Sequence, residues 1–130
     1  MTVGISAVNT ANAWLNTLRG STGTDFTHPG TIYIELHTAD PGSAGTTAVA
    51  TTSTRTLVTF GAASSGSMAV TPTPSFTGAA TETITHIAAF SASSAGTFYW
   101  SAVLTVAKSI NSGDTLNLTT LTIALTPLAA

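Results

Sequence analysis

The sequence has no cysteine and very few charged residues. Without cysteine, the chain can form neither disulfide bonds nor thiolate metal sites. Charged residues make up 6% of the 130 residues, whereas an average globular protein contains about 25%. Thr, Ser and Ala fill the difference, so the folded surface must be rich in hydroxyl groups and nearly uncharged. Such a surface gives little protection against association with other molecules.

Cations are also too few for recognition of nucleic acid. Arg19, Arg55 and Lys108 are the only Lys or Arg residues, and the net charge is −2. Because nucleic-acid affinity depends on cations that neutralise phosphates, we expect no nucleic-acid partner. No apolar run approaches the roughly 20 residues of a membrane span, and the N-terminus lacks the features of a signal peptide. We therefore expect no membrane partner and a bacterial or viral cytosolic product that is exported only as part of a particle.

Residues 31–37 show the clearest secondary-structure pattern. Three apolar residues alternate with Tyr33, Glu35 and His37, a period that is typical of a β-strand with one buried and one exposed face. The pattern therefore predicts that Glu35 and His37 face solvent.

A turn follows this strand. The carboxylate of Asp40 can bond the backbone further on, Pro41 presets φ, and Gly42 tolerates a positive φ. The small side chains of residues 41–54 then predict an exposed, mobile loop.

Residues 4–19 are predicted to form a helix. Its cap would be Ser6 or Thr2, and Gly20 suits the position just beyond its end. Asn and Thr on its other face have low helix propensity, so packing must hold it. Apolar residues recur at intervals of three and four, with Trp14 beside them: Ile5, Val8, Ala11, Leu15 and Leu18. We predict that residues 1–20 form an attachment element, with an oligomer or particle interface at Ile5, Val8, Trp14, Leu15 and Leu18.

Further strands are predicted along the rest of the chain. The strand at residues 83–90 would place Ile84 and His86 on one face with Ala88 and Phe90. The strand at residues 96–105 would place four residues on one face: Phe98, Trp100, Ala102 and Leu104.

The last third of the chain contains a turn and a change of phase. Residues 111–114 predict a β-hairpin turn. The apolar phase shifts between Leu118 and Leu121, which predicts a β-bulge at Thr119 and Thr120 in one strand. Strands at this spacing indicate a mainly β fold, an antiparallel β-sandwich over residues 21–130 with one short N-terminal α-helix.

Several residues could support chemistry. Glu35 and His37 share a strand face with Asp40 close by, and His86 or Glu82 could add a metal ligand from another strand. The favoured alternative is the solvent-exposed face of an amphipathic strand, and His86 is interpreted as a semi-buried histidine. The chain contains neither a G-x-S-x-G nucleophile elbow nor a P-loop lysine. We therefore expect no catalytic residues, no cofactor and no metal, and a protein that is not an enzyme.

Four segments carry a resemblance to a known family. They are residues 31–42, 84–90, 95–100 and 112–116, and the most specific part is Leu-His-Thr-Ala-Asp-Pro-Gly at residues 36–42. Together with the N-terminal helix, they resemble small tailed-bacteriophage virion proteins labelled tail fibre, minor tail or head decoration proteins. The resemblance implies a compact β-sandwich without catalytic residues.

The predicted function is therefore structural. We expect a virion protein displayed on the particle surface as a homo-oligomer, with a trimer favoured. It would act as a capsid decoration or as a short fibre or minor tail component, docked on major capsid or tail proteins. The alternative is a carbohydrate-binding module for host-surface glycans, which would need an exposed aromatic platform. An enzyme would need a cleft that joins Glu35, His37 and His86.

Overall fold

A short helix precedes eight antiparallel strands in the computed structural model, which describes residues 3–20, 26–52 and 54–126. The helix consists of a π-helical turn, Ala7–Ala11, and α1, Asn12–Leu18. The strands are β1 (Ile32–His37), β2 (Thr56–Val58), β3 (Ser67–Ala69), β4 (Ser75–Thr77), β5 (Glu82–Phe90), β6 (Phe98–Ile110), β7 (Thr115–Asn117) and β8 (Thr122–Ala124). The predicted fold class, mainly β with one short N-terminal helix, is confirmed.

Two layers make up the sandwich. One layer is a four-stranded sheet in the order β2-β1-β5-β6, and the other consists of the ladders β3-β8 and β4-β7. Hydrogen bonds from Val70 N to Leu121 O (2.9 Å) and from Leu118 N to Pro74 O (3.0 Å) continue the pairing between the two ladders. The second layer is therefore one long, interrupted ribbon.

The main core lies between these layers. Ile34, Ile84 and Ile87 from the sheet pack with Phe76 and Leu121 from the ribbon, and all five are buried. A smaller cluster of Ala88, Phe90 and Phe98 lies on the opposite face of the sheet. The central strands are thus covered on both sides.

The helix begins later than predicted. Residues 4–6 are extended and pair with the outer edge of β6, through hydrogen bonds from Ser6 N to Tyr99 O (2.7 Å) and from Ser101 N to Gly4 O (2.8 Å). Ser6 then caps the helix by accepting a hydrogen bond from Asn9 N, as predicted, whereas Thr2 lies outside the described residues. Gly20 has a φ of 71°, as expected for the residue just beyond a helix end.

Two irregularities in the β5–β6 pairing alter the predicted faces. The register shifts between Ile84 and His86. Ile84 therefore lies with Ile87 in the main core and not on the same face as Phe90, which belongs to the smaller cluster. The register shifts a second time between Ala89 and Phe90. Phe98 consequently points toward the smaller cluster, whereas Trp100 packs against the main core. The predicted common faces were therefore wrong, because unpaired residues reverse the alternation. Trp100 is partly buried and packs against the main core.

Two predictions in the last third of the chain also need correction. The turn at residues 111–114 forms, with Asp114 N donating to Asn111 O at 3.0 Å. It is not a hairpin, because β6 pairs with β5 whereas β7 pairs with β4. The phase change near Thr119 and Thr120 separates β7 from β8, which lie in different ladders, so it is a strand interruption and not a bulge.

Candidate functional site on the N-terminal helix

Polar side chains fasten the helix to the sandwich. Asn9 Nδ2 donates a hydrogen bond to Phe98 O at 2.9 Å, and Thr10 Oγ1 donates one to Tyr99 O at 2.9 Å. Thr10 is buried. These bonds reach carbonyl groups on β6 that the four-stranded sheet leaves unpaired at its edge. The face that rests on the sandwich is therefore polar.

The apolar face of the helix points away from the sandwich. The exposed fractions are 77% for Val8, 63% for Leu15 and 84% for Leu18, and Ile5 just before the helix is 53% exposed. A surface helix normally buries its apolar stripe and exposes its polar one, so this arrangement is reversed. A contiguous exposed apolar patch on a protein usually marks an interaction site. We call Val8, Leu15 and Leu18 the apolar helix face; Ile5 lies before it in the extended segment that pairs with β6.

Trp14 differs from the other predicted interface residues. It is half-buried, and its ring lies 5.7 Å from the Phe26 ring at an interplanar angle of 81°. Phe26 in turn contacts Tyr99 on β6 at 6.3 Å and 67°. Edge-to-face contacts of this kind stabilise aromatic clusters. Trp14 therefore links the apolar helix face to the sandwich, while Phe26 is the loop anchor that joins them.

Glu35 and His37 are buried, which contradicts their predicted exposure. Arg55 Nε donates to Glu35 Oε2 at 2.8 Å, and the guanidinium carbon lies 3.5 Å from the centre of the Phe90 ring. Nη1 of Arg55 also donates to the backbone oxygens of Ala92 and Ala95. The ion pair and these bonds satisfy the charges that burial would otherwise leave uncompensated.

The loop after β1 causes this burial. Ala50 N donates to Leu36 O at 3.0 Å and Thr38 N donates to Ala48 O at 2.9 Å, so the chain returns along the end of β1. Pro41, Ala50 and Thr52 are buried, whereas Ser43, Ala44, Thr46 and Thr47 are exposed, so the expected exposure of this loop holds for only part of it. The turn before it forms as predicted, with Gly42 N donating to Asp40 Oδ1 at 2.8 Å.

His37 is fully buried, and only one of its two ring nitrogens has a hydrogen-bond partner among the described residues. Its Nδ1 donates to Thr47 O at 2.8 Å, while Nε2 lies 3.4 Å from Glu35 Oε1 without hydrogen-bond geometry. Burial lowers the pKa of His37, and the hydrogen bond to Thr47 and the Glu35 carboxylate only partly oppose this effect. The neutral imidazole is therefore favoured in the folded protein.

The residues considered for metal binding do not converge. His86 lies opposite His37 in the β1–β5 register, but its Nδ1 shares a hydrogen bond with Thr85 Oγ1 at 2.7 Å. Glu82 instead accepts hydrogen bonds from Thr51 and Thr52; burial raises its pKa, but these bonds outweigh that effect and lower it. Within residues 3–20, 26–52 and 54–126, no group of three or more His, Asp or Glu side chains could hold a metal ion.

Sequence analysis missed the role of Arg55. The available indications were that Arg55 is one of three Lys or Arg residues and that it directly precedes a short run, residues 56–60, whose pattern predicts a strand. An arginine that close to a strand can face an acidic residue on a neighbouring strand, as Arg55 faces Glu35. Without the strand order, however, no specific partner could be assigned.

Within the described residues, no helix combines the length and the hydropathy needed to cross a membrane.

Comparison with known proteins identifies a family. Residues 4–126 match the family model described as podophage GP4 fiber I protein gp80. The matched range contains the helix, its apolar face and all eight strands. A search of curated proteins found no match.

Proposed function

The chain belongs to the podophage GP4 fiber I protein gp80 family and is a structural protein of a phage tail fibre, and we propose that the apolar helix face attaches it to the particle. The observation that carries this proposal is the reversed polarity of the helix, with Val8 and Leu18 more than three-quarters exposed. Covering these side chains would remove apolar surface from water, which is the main driving force of protein association.

The division of the chain into two parts supports this role. Among the described residues, the buried core clusters contain no residue of the helix. We propose that residues 1–20 are the attachment element and that residues 21–130 form the β-sandwich domain. The partners of the helix face would be further copies of this chain, with a trimer favoured, and major capsid or tail proteins. We also propose that the protein is displayed on the particle surface and acts as a capsid decoration or a minor tail component.

The role is proposed to be structural and not catalytic, and the glycan-binding alternative has less support. That alternative needs an exposed aromatic platform, whereas Trp14, Tyr99, Tyr33 and Trp100 are each only partly exposed. The rings of Trp14 and Tyr99 also pack edge-to-face with the ring of Phe26. The exposed apolar surface of the helix is aliphatic, which suits packing against protein better than stacking on a sugar ring.

A charge placed on the apolar helix face tests the proposal. Leu18→Glu should leave the melting temperature unchanged, because the side chain is 84% exposed, but it should abolish co-sedimentation with particles assembled without this protein. Thr73→Glu adds the same charge at an exposed residue between β3 and β4 and should bind normally. Normal binding of Leu18→Glu would show that the helix face is not the attachment surface.

A further inference from the structure

The two layers of the sandwich are joined at one edge and open at the other. At the joined edge, residues 59–61 leave the end of β2 and pair with residues 69–71, through hydrogen bonds from Gly61 N to Ala69 O and from Thr71 N to Thr59 O, both 2.9 Å. At the opposite edge, β6 ends the four-stranded sheet and β7 ends its ladder. Among the described residues, no strand bridges β6 and β7.

The chain itself occupies one end of this open edge. Ile5 forms a β-bridge with Trp100, and the hydrogen bonds of residues 4–6 run along β6 from Tyr99 to Ser101. Ile5 and Trp100 line the same gap as Ile123 of β8. An extended segment can therefore add to the edge of β6 while it faces the ribbon.

The other end of the open edge contains a cavity of about 280 Å³. We call it the β6–β7 groove. Its floor is formed by buried side chains of the main core, among them Leu36, Phe76 and Ile87. Its rim carries Asn117 at the end of β7 and Thr119 and Thr120 from the chain between β7 and β8, and Lys108 is its single charged residue.

The β6 edge beside the groove has the features of an acceptor strand. Ser101 N points outward to Gly4 O, and the alternation of the strand directs Val103 N outward as well. Val103 and Val106 are 58% and 62% exposed. Four residues of β6, 104–107, stand opposite the single residue Thr85 on β5, so the strand bends where the cavity opens. An exposed apolar edge of this kind is suited to pairing with another chain.

We propose that the β6–β7 groove accepts an extended polypeptide segment from another virion protein. The segment would add to the outer edge of β6 by backbone hydrogen bonds and insert an apolar side chain into the cavity. Lys108 forms no ion pair within the described part of the chain. Its positive charge selects a segment that places a carboxylate next to it. This surface is separate from the apolar helix face, so the inference does not depend on the proposed function.

The probe is a seven-residue peptide in which Thr and Ile alternate and the central residue is Glu. Its affinity for the full-length protein is measured by calorimetry and compared with that of the same peptide with a central Lys. We expect the Glu peptide to bind about tenfold more tightly. In Lys108→Glu, whose exposed side chain can be changed without disturbing the core, this preference should reverse. Failure of both peptides to bind, or an unchanged preference in the variant, would overturn the proposal.

A second pair of variants tests the backbone pairing. Val103→Pro removes an outward N–H and should weaken peptide binding about fivefold or more, whereas Val103→Ala keeps the N–H and should bind within about threefold of the wild type. Melting temperatures establish whether both variants fold. If Val103→Pro does not fold, Lys108→Glu still tests the groove. Equal binding by both folded Val103 variants would contradict strand addition. Dissociation of an oligomer by Val103→Pro alone would assign the groove to a second copy of this chain instead.

Discussion

At the scale of single residues, the buried Glu35, Arg55 and His37 are the most unusual feature of this nearly uncharged chain. Glu35 and Arg55 compensate each other at 2.8 Å, but Nε2 of His37 has no hydrogen-bond partner within the described residues. A buried ion pair with its hydrogen bonds satisfied is tolerated, whereas an additional charge beside it is costly. His37 should therefore make the stability of the protein sensitive to pH.

The predicted pH dependence follows from the lowered pKa of His37. The unfolded chain takes up a proton near the ordinary value of 6.5, while the folded chain resists it because burial lowers the pKa. The melting temperature should therefore fall as the pH decreases from about 8 to about 5.5, since the unfolded state binds more protons in that range. Glu35, Arg55 and His86 face the ring and modulate this effect.

The matched control is His37→Asn, whose amide can still donate to Thr47 O but does not titrate. Both proteins retain His28 and His86, so the difference between their pH profiles reports His37 alone. The variant should lose less stability than the wild type on acidification. Parallel profiles for the two proteins would show that His37 titrates normally in the folded state.

At the scale of elements, the crossing between the layers depends on a close backbone contact. Gly78, between β4 and β5, donates its N–H to Asp114 O at 2.7 Å and accepts from Gly113 N at 2.8 Å. A Cβ at Gly78 would lie 2.2 Å from Asn111 O. The turn after β6 can therefore pack against this connection only because residue 78 has no side chain.

Gly78→Ala should destabilise the fold by roughly 1–3 kcal/mol, because the backbone must move to relieve the overlap. Gly30→Ala is the control, since no atom of the described residues lies within 4 Å of its added Cβ. It should be neutral or stabilising by up to about 1 kcal/mol. Denaturant unfolding measures both free energies. A neutral Gly78→Ala would mean that the turn and the β4–β5 connection are not in close contact.

At the scale of the whole molecule, the scarcity of charge decides how the protein associates. Only three Lys or Arg and five Asp or Glu residues are present, and Glu35 and Arg55 are engaged with each other inside the fold. The exposed aliphatic residues of the apolar helix face carry no charge. Association should therefore rest on apolar contact, neutral hydrogen bonds and bridging water.

The proposed oligomer and the proposed attachment to the particle should consequently survive molar sodium chloride. Salt at 1 M reduces the Debye length to about 3 Å, which screens exposed charges but does not weaken apolar burial. Light scattering across a salt series and the protein retained on pelleted particles provide the measurements. Dissociation in high salt would instead indicate that Arg19 or Lys108 anchors the contact.

Much of the fold was predictable because it depends on local patterns. Alternation in residues 31–37 predicted β1, and the apolar spacing of residues 4–19 predicted the helix, which begins after Ser6. The Asp40 turn followed from the chemistry of its three residues. In each case the decisive interaction lies within a few residues, so the sequence contains all the information required.

The sequence by itself thus determined the fold class, the helix, its apolar stripe and the lack of charge that favours association. Only the tertiary structure decided which faces are buried. Alternation shows that one side of β1 is apolar, but the burial of Glu35 and His37 depends on Arg55 and on a loop that folds back over them. Likewise, the helix pattern does not show that Asn9 and Thr10 face inward, because this orientation is set by carbonyl groups 89 residues away on β6. Burial is a property of the partners that meet across the fold, and the local pattern cannot specify those partners.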